Sequence, residues 1–150
     1  KNKNLKRDMQ NIENKEIYKL IKKKKKNQCD IGTLASNFSS KNEIDNPNIV
    51  KVEVKEKLND SKFLNALDFF RNNKVSKNIL YHHIGIYGFT RRALMMYVKL
   101  NRSKLELERK LEQLRALENN MSIHVGFVES CPLSVDTEQD LKEIKKIMEK

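Results

Sequence analysis

The segment Ile79–Phe89, ILYHHIGIYGF, constrains the fold of this chain more than any other stretch. It is an almost unbroken run of apolar and aromatic residues, and it is the most strand-like part of the sequence. A continuous apolar run of this length is typical of a strand that is buried on both faces. We therefore expect it to lie inside a sheet that other elements cover.

Shorter strands and amphipathic helices alternate along the rest of the chain. Strands are predicted at 30–36, 49–54, 62–70 and 123–128, with a turn at 46–48 and a polar loop at 71–78. Helices are predicted at 13–27, from the cap Thr90 to about Leu100, from the capping box at Ser103 to about 119, and from 137 onward. This alternation predicts an α/β fold with a mixed sheet, without an internal repeat or a linker that would divide the chain.

Apolar spacing also predicts which helix residues face the core. The residues expected to point inward are Leu94, Met95 and Val98 of one helix and Leu107, Leu111 and Leu114 of the next. The two cysteines, Cys29 and Cys131, do not suffice for a disulfide framework or a zinc module. We therefore expect both to be small core or edge residues without a redox role. A reducing, cytoplasmic location is the default for such a chain.

The formal net charge of +11 raises the question of a nucleic-acid partner. Most of the excess lies in residues 1–28, which carry eleven basic and three acidic side chains and include the run Lys22–Lys26. Lys lacks the bidentate fork of Arg, so we expect a solvated helix face and no nucleic-acid partner. A basic nucleic-acid binder that works through residues 1–28 is the alternative. No run of about 18 apolar residues exists, so we expect no membrane partner.

Generic catalytic motifs are absent, and a few polar residues near predicted strand ends remain as candidates. Asp136 precedes the last predicted helix, where it could cap the helix or bind Mg²⁺ together with substrate phosphates. His82 and His83 are adjacent and should point to opposite faces of their strand. Tyr87 alternates with His83 on one face, so the two could share a polar patch. Glu112 is an ordinary helix-edge or solvent residue by position alone, and so is the Gln that follows it.

Three segments carry a resemblance to one family. HHIGIYG at 82–88, SKLELERKLEQLRALE at 103–118 and SVDTEQDL at 134–141 resemble a strand, a helix and a turn of the 3-deoxy-manno-octulosonate cytidylyltransferases (CMP-Kdo synthetases). IGTLAS at 31–36 and NPNIVKV at 46–52 are similar to the family's ATLA and NPNxVKV segments. LEQLRALE followed by VDTxxDL is specific as a pair, because folding alone does not demand those residues at that separation.

The resemblance implies a Rossmann-like nucleotidyltransferase with a three-layer fold and a mixed sheet. The activity it implies is transfer of CMP from CTP to 3-deoxy-D-manno-octulosonate, with release of pyrophosphate, for lipopolysaccharide biosynthesis. Mg²⁺ is the implied cofactor, CTP and the sugar acid are the implied partners, and the implied assembly is a homodimer.

The resemblance also assigns site residues. The implied metal ligands are Asp136 of the VDT segment and Asp8, because NLKRDMQNI at 4–12 is similar to the family's NLQGDMPNI. A guanidinium pairs bidentately with a carboxylate, which suits an arginine in the sugar-acid pocket. The implied substrate-binding residues are Arg71, His83, Tyr87, Glu112 and Gln113.

Some positions depart from the family pattern. Lys6 and Arg7 stand where the family has Gln and Gly, and Gln10 stands where it has Pro. The family's opening strand and its Arg/Gly-rich phosphate loop have no counterpart in the sequence. Residues 1–150 are therefore expected to be the C-terminal part of a single cytidylyltransferase domain that is inactive alone. The alternatives are a non-catalytic truncated remnant or dimerisation module, and a related sialic-acid-type cytidylyltransferase.

Overall fold

A computed structural model describes residues 29–59, 62–72 and 75–129. Its strands are β1 (Ile31–Ser36), β2 (Lys51–Val54), β3 (Leu64–Phe70), β4 (Ile79–Phe89) and β5 (Ile123–Phe127), and its helices are α1 (Lys41–Asp45), α2 (Arg91–Tyr97), α3 (Lys104–Arg109) and α4 (Gln113–Glu118). The helices predicted at 13–27 and from 137 onward lie outside the described residues, as does Cys131. None of the helices described is long and apolar enough to cross a membrane.

The five strands form one mixed sheet that closes on itself in the order β1-β4-β2-β3-β5. β1 runs parallel to β5, and the other four pairs are antiparallel. This arrangement confirms the α/β class with a mixed sheet. The three-layer, Rossmann-like arrangement stays a prediction.

The strand β4 begins and ends as predicted, and the other strands are one or two residues shorter than predicted. Its burial on both faces is limited to the middle, where the neighbours His83 and Ile84 are both buried. β1, by contrast, is buried along its whole length, because both of its faces are covered: Ile31 and Ala35 belong to one hydrophobic cluster and Leu34 to another.

Two polar side chains fix the start of the parallel pair. The Asp30 carboxylate accepts hydrogen bonds from the Ser122 backbone N at 2.9 Å and from its hydroxyl at 3.1 Å. The Asp30 backbone N donates in turn to Ser122 Oγ at 2.9 Å. These bonds join residues 92 positions apart and set the register in which Ile31 lies opposite Ile123.

The larger of the two hydrophobic clusters joins the sheet to the helices. Its strand members include Ile31, Val52, Phe69, Tyr81 and Val125, and its helix-side members include Ala93, Leu111, Leu114 and Ala116. The smaller cluster contains Leu34 and Ile84 with Phe63, Ile86 and Val128 packed against them. Leu34 lies between Thr33 and Ala35 in β1, so the two clusters occupy opposite faces of that strand.

Helix α2 turns its longer apolar side chains outward, so the predicted inward face is wrong. Thr90 caps the helix as predicted, because its hydroxyl oxygen accepts a hydrogen bond from Ala93 N at 3.0 Å. Ala93 is fully buried, and its small side chain lets the helix lie close to the sheet. Leu94, Met95 and Val98, which were predicted to point inward, are 43%, 54% and 62% exposed, respectively.

The single helix predicted from Ser103 to about 119 is two short helices. Lys110 has a left-handed backbone with φ of 55°, which ends α3 and starts a new direction for α4. The leucine spacing therefore does not continue across the break, and Leu107 is 56% exposed although it was predicted to be buried. Leu111 and Leu114 are buried as predicted.

Candidate functional site

A bulge in β4 brings together polar side chains of the HHIGIYG segment. The ladder between β4 and β1 shifts by two residues, so that Gly85 and Ile86 lie opposite no β1 residue. Residues four positions apart in an unbroken strand are separated by about 13 Å. The ring centroids of His83 and Tyr87 are only 5.5 Å apart. The bulge therefore gathers two side chains that a regular strand would keep apart.

The His83 ring is enclosed by the sheet. Its Nε2 lies 2.9 Å from the hydroxyl oxygen of Thr33, and the ring meets Phe69 edge-on at a centroid distance of 5.0 Å. Burial, with a smaller contribution from the neighbouring His82, lowers the pKa of His83 to about 3. The imidazole is therefore neutral at physiological pH and acts as a hydrogen-bonding group rather than as a cation.

His82 points to the other face, as predicted for adjacent strand residues. Its ring stacks on Phe38 at a centroid distance of 6.2 Å, and its Nδ1 lies 3.6 Å from a carboxylate oxygen of Glu43. Both contacts belong to the segment that follows β1, away from Tyr87. His82 is therefore a structural neighbour of α1 and not a member of the site.

Glu112, the residue before α4, lies near Tyr87 of the His83–Tyr87 pair. The Tyr97 hydroxyl donates a hydrogen bond to the Glu112 backbone carbonyl at 3.0 Å, which fixes the residue before α4. The pKa of Tyr87 is raised, mainly by burial and then by the nearby Tyr97 and Glu112. Glu112 is exposed and Gln113, the first residue of α4, is half-buried. Two predicted site segments, HHIGIYG and LEQLR, thus converge.

An ion pair holds α3 and α4 in this arrangement. Arg115 donates two hydrogen bonds to the Glu106 carboxylate, from Nε at 2.7 Å and from Nη2 at 2.5 Å. Its guanidinium also covers the Tyr97 ring at 4.9 Å from the centroid. The hydrogen bond from Arg115 lowers the pKa of Glu106, which in addition accepts a hydrogen bond from Ser103 N as one half of the predicted capping box.

Arg71 lies just beyond the end of β3, two residues after the Phe69 ring that contacts His83. Its Nη1 donates to the Asn48 carbonyl at 2.7 Å. Among the described residues, no carboxylate forms an ion pair with Arg71, and no contact joins its guanidinium to His83 or Tyr87. The structure therefore brings His83, Tyr87 and Glu112 near one another, with Gln113 next to Glu112 in the chain. Arg71 contacts the turn at 47–48 and does not contact this group.

Two buried polar residues of this region were not predicted. Lys51 is fully buried in β2, and its Nζ donates at 2.6 Å to the backbone carbonyls of both Asn46 and Arg71. Burial lowers the pKa of Lys51, and the charge of Asp45 partly offsets this effect. Thr33 is fully buried beside His83. The available signal was the same for both, a polar residue next to apolar residues within a predicted strand.

The predicted metal ligands Asp8 and Asp136 lie outside the described residues. Within residues 29–59, 62–72 and 75–129, no group of three or more His, Cys, Asp or Glu side chains could hold a metal ion.

Comparison with known proteins connects the site to one family. A family profile described as cytidylyltransferase matches residues 4–123. The 3-deoxy-manno-octulosonate cytidylyltransferases of Bartonella henselae and Rhizobium meliloti are each 42% identical to this chain over 146 residues, which is 97% of the chain. The chain spans only 59% and 58% of those two relatives, respectively.

A solved structure shares the fold. The structure of CMP:2-keto-3-deoxy-manno-octonic acid synthetase complexed with CTP matches with a TM-score of 0.68 and 27% sequence identity, over 87% of this chain and 53% of that one. The family profile extends over both converging segments, since it includes residues 82–88 and all of α4. The chain therefore belongs to the cytidylyltransferase family.

Proposed function

We propose that this chain is the part of a cytidylyltransferase that binds the sugar acid, in an enzyme that transfers CMP from CTP to 3-deoxy-D-manno-octulosonate. The observation that carries the proposal is the convergence of His83, Tyr87 and Glu112 at the β4 bulge. These residues come from two of the segments that resemble the octulosonate enzymes, and they lie near one another although they are up to 29 positions apart in the chain. The full enzyme would adopt the three-layer, Rossmann-like fold.

The chemistry of the site suits a polyhydroxylated acid. A neutral His83, the Tyr87 hydroxyl and the Glu112 carboxylate can all hydrogen-bond to sugar hydroxyl groups. The sugar carboxylate needs a cation, and Arg71 is the candidate because none of the described carboxylates pairs with it. Its guanidinium now contacts backbone carbonyls of the 47–48 turn, from which it could rotate to a bidentate pair with the substrate.

In the proposed reaction, the anomeric hydroxyl of the sugar acid attacks the α-phosphate of CTP. A new P–O bond forms to the sugar, the bond to the β-phosphate breaks, pyrophosphate leaves and the hydroxyl proton is released. Asp8 and Asp136 would hold Mg²⁺, since two carboxylates together with substrate phosphates are the ligand set that this ion prefers, and its charge would offset that of the phosphate oxygens. The residues of the described site bind and orient the sugar.

A chain extended at its N-terminus tests the proposal. The extension is the segment of the Bartonella henselae relative that precedes the matched region, and product is measured as CMP-sugar from CTP, Mg²⁺ and octulosonate. The extended chain also carries Lys6→Gln, Arg7→Gly and Gln10→Pro, which restore the family residues at the positions that depart from its pattern. We expect product from this extended chain and none from residues 1–150 alone. Tyr87→Phe in the extended chain should raise the KM for the sugar about tenfold, which corresponds to about 1.4 kcal/mol of lost binding.

Tyr81→Phe is the matched control, because the Tyr81 hydroxyl oxygen accepts a hydrogen bond from Leu58 N, within the core and away from the bulge. It should leave the sugar KM unchanged. No CMP-sugar from the extended chain, or equal KM values for the two variants, would reject the proposed site. Faster turnover of N-acetylneuraminate than of octulosonate would favour the sialic-acid-type alternative.

We also propose a homodimer, with the outer face of α2 as the contact surface. Leu94, Met95 and Met96 are 43%, 54% and 44% exposed, and they are flanked by the exposed Arg91 and Arg92. Leu107 on α3 is also exposed, at 56%, and it lies next to Glu108, whose carboxylate is 3.8 Å from Lys104. In a twofold contact, the exposed apolar side chains of α2 in one copy can pack against Leu107 of the other.

Sedimentation velocity over a range of concentrations tests the dimer. Met95→Glu should shift the monomer–dimer equilibrium toward monomer at least tenfold, because it places a carboxylate in the apolar centre of the contact. Asn37→Glu makes the same charge change at another exposed position and should have no effect. A wild-type chain that stays monomeric at high concentration, or a Met95→Glu chain that dimerises as strongly as wild type, contradicts the proposal.

A further inference from the structure

The buried Thr33 hydroxyl lies at the centre of the β4 bulge. Its oxygen is 2.8 Å from the Ile86 carbonyl oxygen, 3.2 Å from the Ile84 carbonyl oxygen and 2.9 Å from His83 Nε2. The extra residues of a bulge leave the regular ladder, so their carbonyl groups need other donors. Thr33 faces the bulge from β1 and is placed to serve as that donor.

The proton on this hydroxyl determines the tautomer of His83. A carbonyl oxygen only accepts hydrogen bonds, and a hydroxyl group has a single proton to donate. If that proton goes to the Ile86 carbonyl, which is the nearest acceptor, the contact with His83 requires Nε2–H as donor and Thr33 Oγ1 as acceptor. In the reverse arrangement the hydroxyl group donates its proton to the ring, and the Ile84 and Ile86 carbonyls lose this donor.

The other ring nitrogen is then an acceptor. Burial keeps the imidazole neutral, so it carries one proton, and a proton on Nε2 leaves a lone pair on Nδ1. The bond to Thr33 is the one side-chain hydrogen bond of His83 found among the described residues. Tyr87, which lies 5.5 Å away between ring centroids, is the neighbour of the ring on the site face.

We propose that Thr33 is a positioning residue that fixes His83 as the Nε2–H tautomer, so that Nδ1 accepts a hydrogen bond from a hydroxyl group of the substrate. The identity of that substrate as a sugar acid rests on the proposed function, whereas the tautomer does not. This tautomer determines which groups of a ligand can bind beside the ring. A neutral acceptor at Nδ1 recognises a ligand hydroxyl and repels a carboxylate oxygen, so the acid end of the substrate binds elsewhere in the site.

Two-bond ¹H–¹⁵N correlation spectra of the labelled full chain test the tautomer. The chain has three histidines, and His83→Gln identifies the signals of this ring by their loss. We expect the Nε2–H pattern for His83, constant from pH 8 to pH 5. Thr33→Ser retains the hydroxyl and should retain the pattern, whereas Thr33→Val has nearly the same shape and should convert the ring at least partly to the Nδ1–H form.

A wild-type spectrum with the Nδ1–H pattern overturns the proposal, and so does an unchanged Nε2–H pattern in a folded Thr33→Val chain. If Thr33→Val does not fold, as judged from its amide spectrum, the wild-type and Thr33→Ser spectra still decide the tautomer. Addition of 3-deoxy-manno-octulosonate should then shift the Nδ1 resonance. A shift confined to Nε2 rejects the acceptor role. Absence of sugar binding with the tautomer as expected rejects the proposed function and leaves the role of Thr33 intact.

Discussion

Replacement of Arg115 by methionine probes the contact that joins α3 to α4. The guanidinium makes two hydrogen bonds to Glu106, at 2.7 Å and 2.5 Å, and the side chains are 16% and 3% exposed, respectively. Methionine keeps much of the apolar stem and removes the charge and the donors. The Glu106 carboxylate would then be shielded from water without its main cation.

The loss of stability expected for Arg115→Met follows from the geometry of this ion pair. Loss of one partner of a fully buried ion pair destabilises a protein by about 3–5 kcal/mol. The present pair lies close to the surface, and Arg102 Nε, 3.5 Å from Glu106, can supply part of the missing charge. Loss of the contact with the Tyr97 ring adds about 0.5–1 kcal/mol. We expect Arg115→Met to lower the free energy of unfolding by about 2–3 kcal/mol at pH 7.

The same pair predicts a pH dependence. The pKa of Glu106 is lowered in the folded chain because Arg115 donates to its charged form. Its stabilisation is therefore complete above the ordinary carboxyl pKa of about 4.3 and is lost as the pH falls through the lower folded value. The difference in stability between wild type and Arg115→Met should be largest at pH 7 and should shrink below about pH 4.

Urea unfolding followed by circular dichroism measures these differences for Arg115→Met, Glu106→Gln and the double variant. A coupling energy above about 1 kcal/mol is expected from the double-mutant cycle. Arg102→Met is the control, because that side chain is 67% exposed and should change stability by less than about 0.5 kcal/mol. Equal effects of Arg115→Met and Arg102→Met, or a coupling energy near zero, would show that the Arg115–Glu106 pair does not stabilise the fold.

Three further predictions concern single buried positions, each measured by urea unfolding. The pKa of His83 is about 3 against 6.5 when unfolded, so stability should fall by up to about 1.4 kcal/mol per unit as the pH drops below 6, and His83→Gln should remove that slope. Gly126→Ala should lower the free energy of unfolding by about 1–3 kcal/mol, because its Cβ would lie 2.7 Å from a Phe63 ring carbon. Gly85→Ala is its control: a Cβ there meets nothing within 4 Å, so the free energy of unfolding should change by less than about 0.5 kcal/mol. Lys51→Met should lower the free energy of unfolding by about 2 kcal/mol, because two backbone carbonyls lose their donor. A change under about 0.5 kcal/mol would contradict a stabilising role for the Lys51 ammonium group.

The positions of the strands could be predicted from the sequence, whereas the break between α3 and α4 could not. Apolar runs bounded by polar turns are local signals, and β4 follows its run from end to end. The helix break depends on Lys110, which adopts a left-handed conformation that Gly or Asn would normally signal. A leucine spacing that continues across a lysine predicts one helix. The outward face of α2 was missed for a related reason, since the packing of a small Ala93 outweighs the larger apolar residues beside it.

The site was predictable in part. Alternation along β4 places His83 and Tyr87 on one face, but only the bulge reduces their separation, and Gly85 is its sole local sign. The approach of Glu112 depends on a hydrogen bond from Tyr97 and on the turn at Lys110, which are tertiary features without a local pattern. The family resemblance, rather than periodicity, supplied that residue.

The parallel pairing of β1 with β5 also has a consequence for how the chain folds. β1 cannot gain its second neighbour until a segment about 92 positions later has been synthesised, as the Asp30–Ser122 bonds show. A ribosome adds roughly 5–20 residues per second, so at least one edge of β1 stays unpaired for on the order of 5–20 s during synthesis. An open strand edge can pair with other chains, and long-range closure of this kind is slow. We therefore expect β1 to be the principal site of mispairing in a nascent or C-terminally shortened chain.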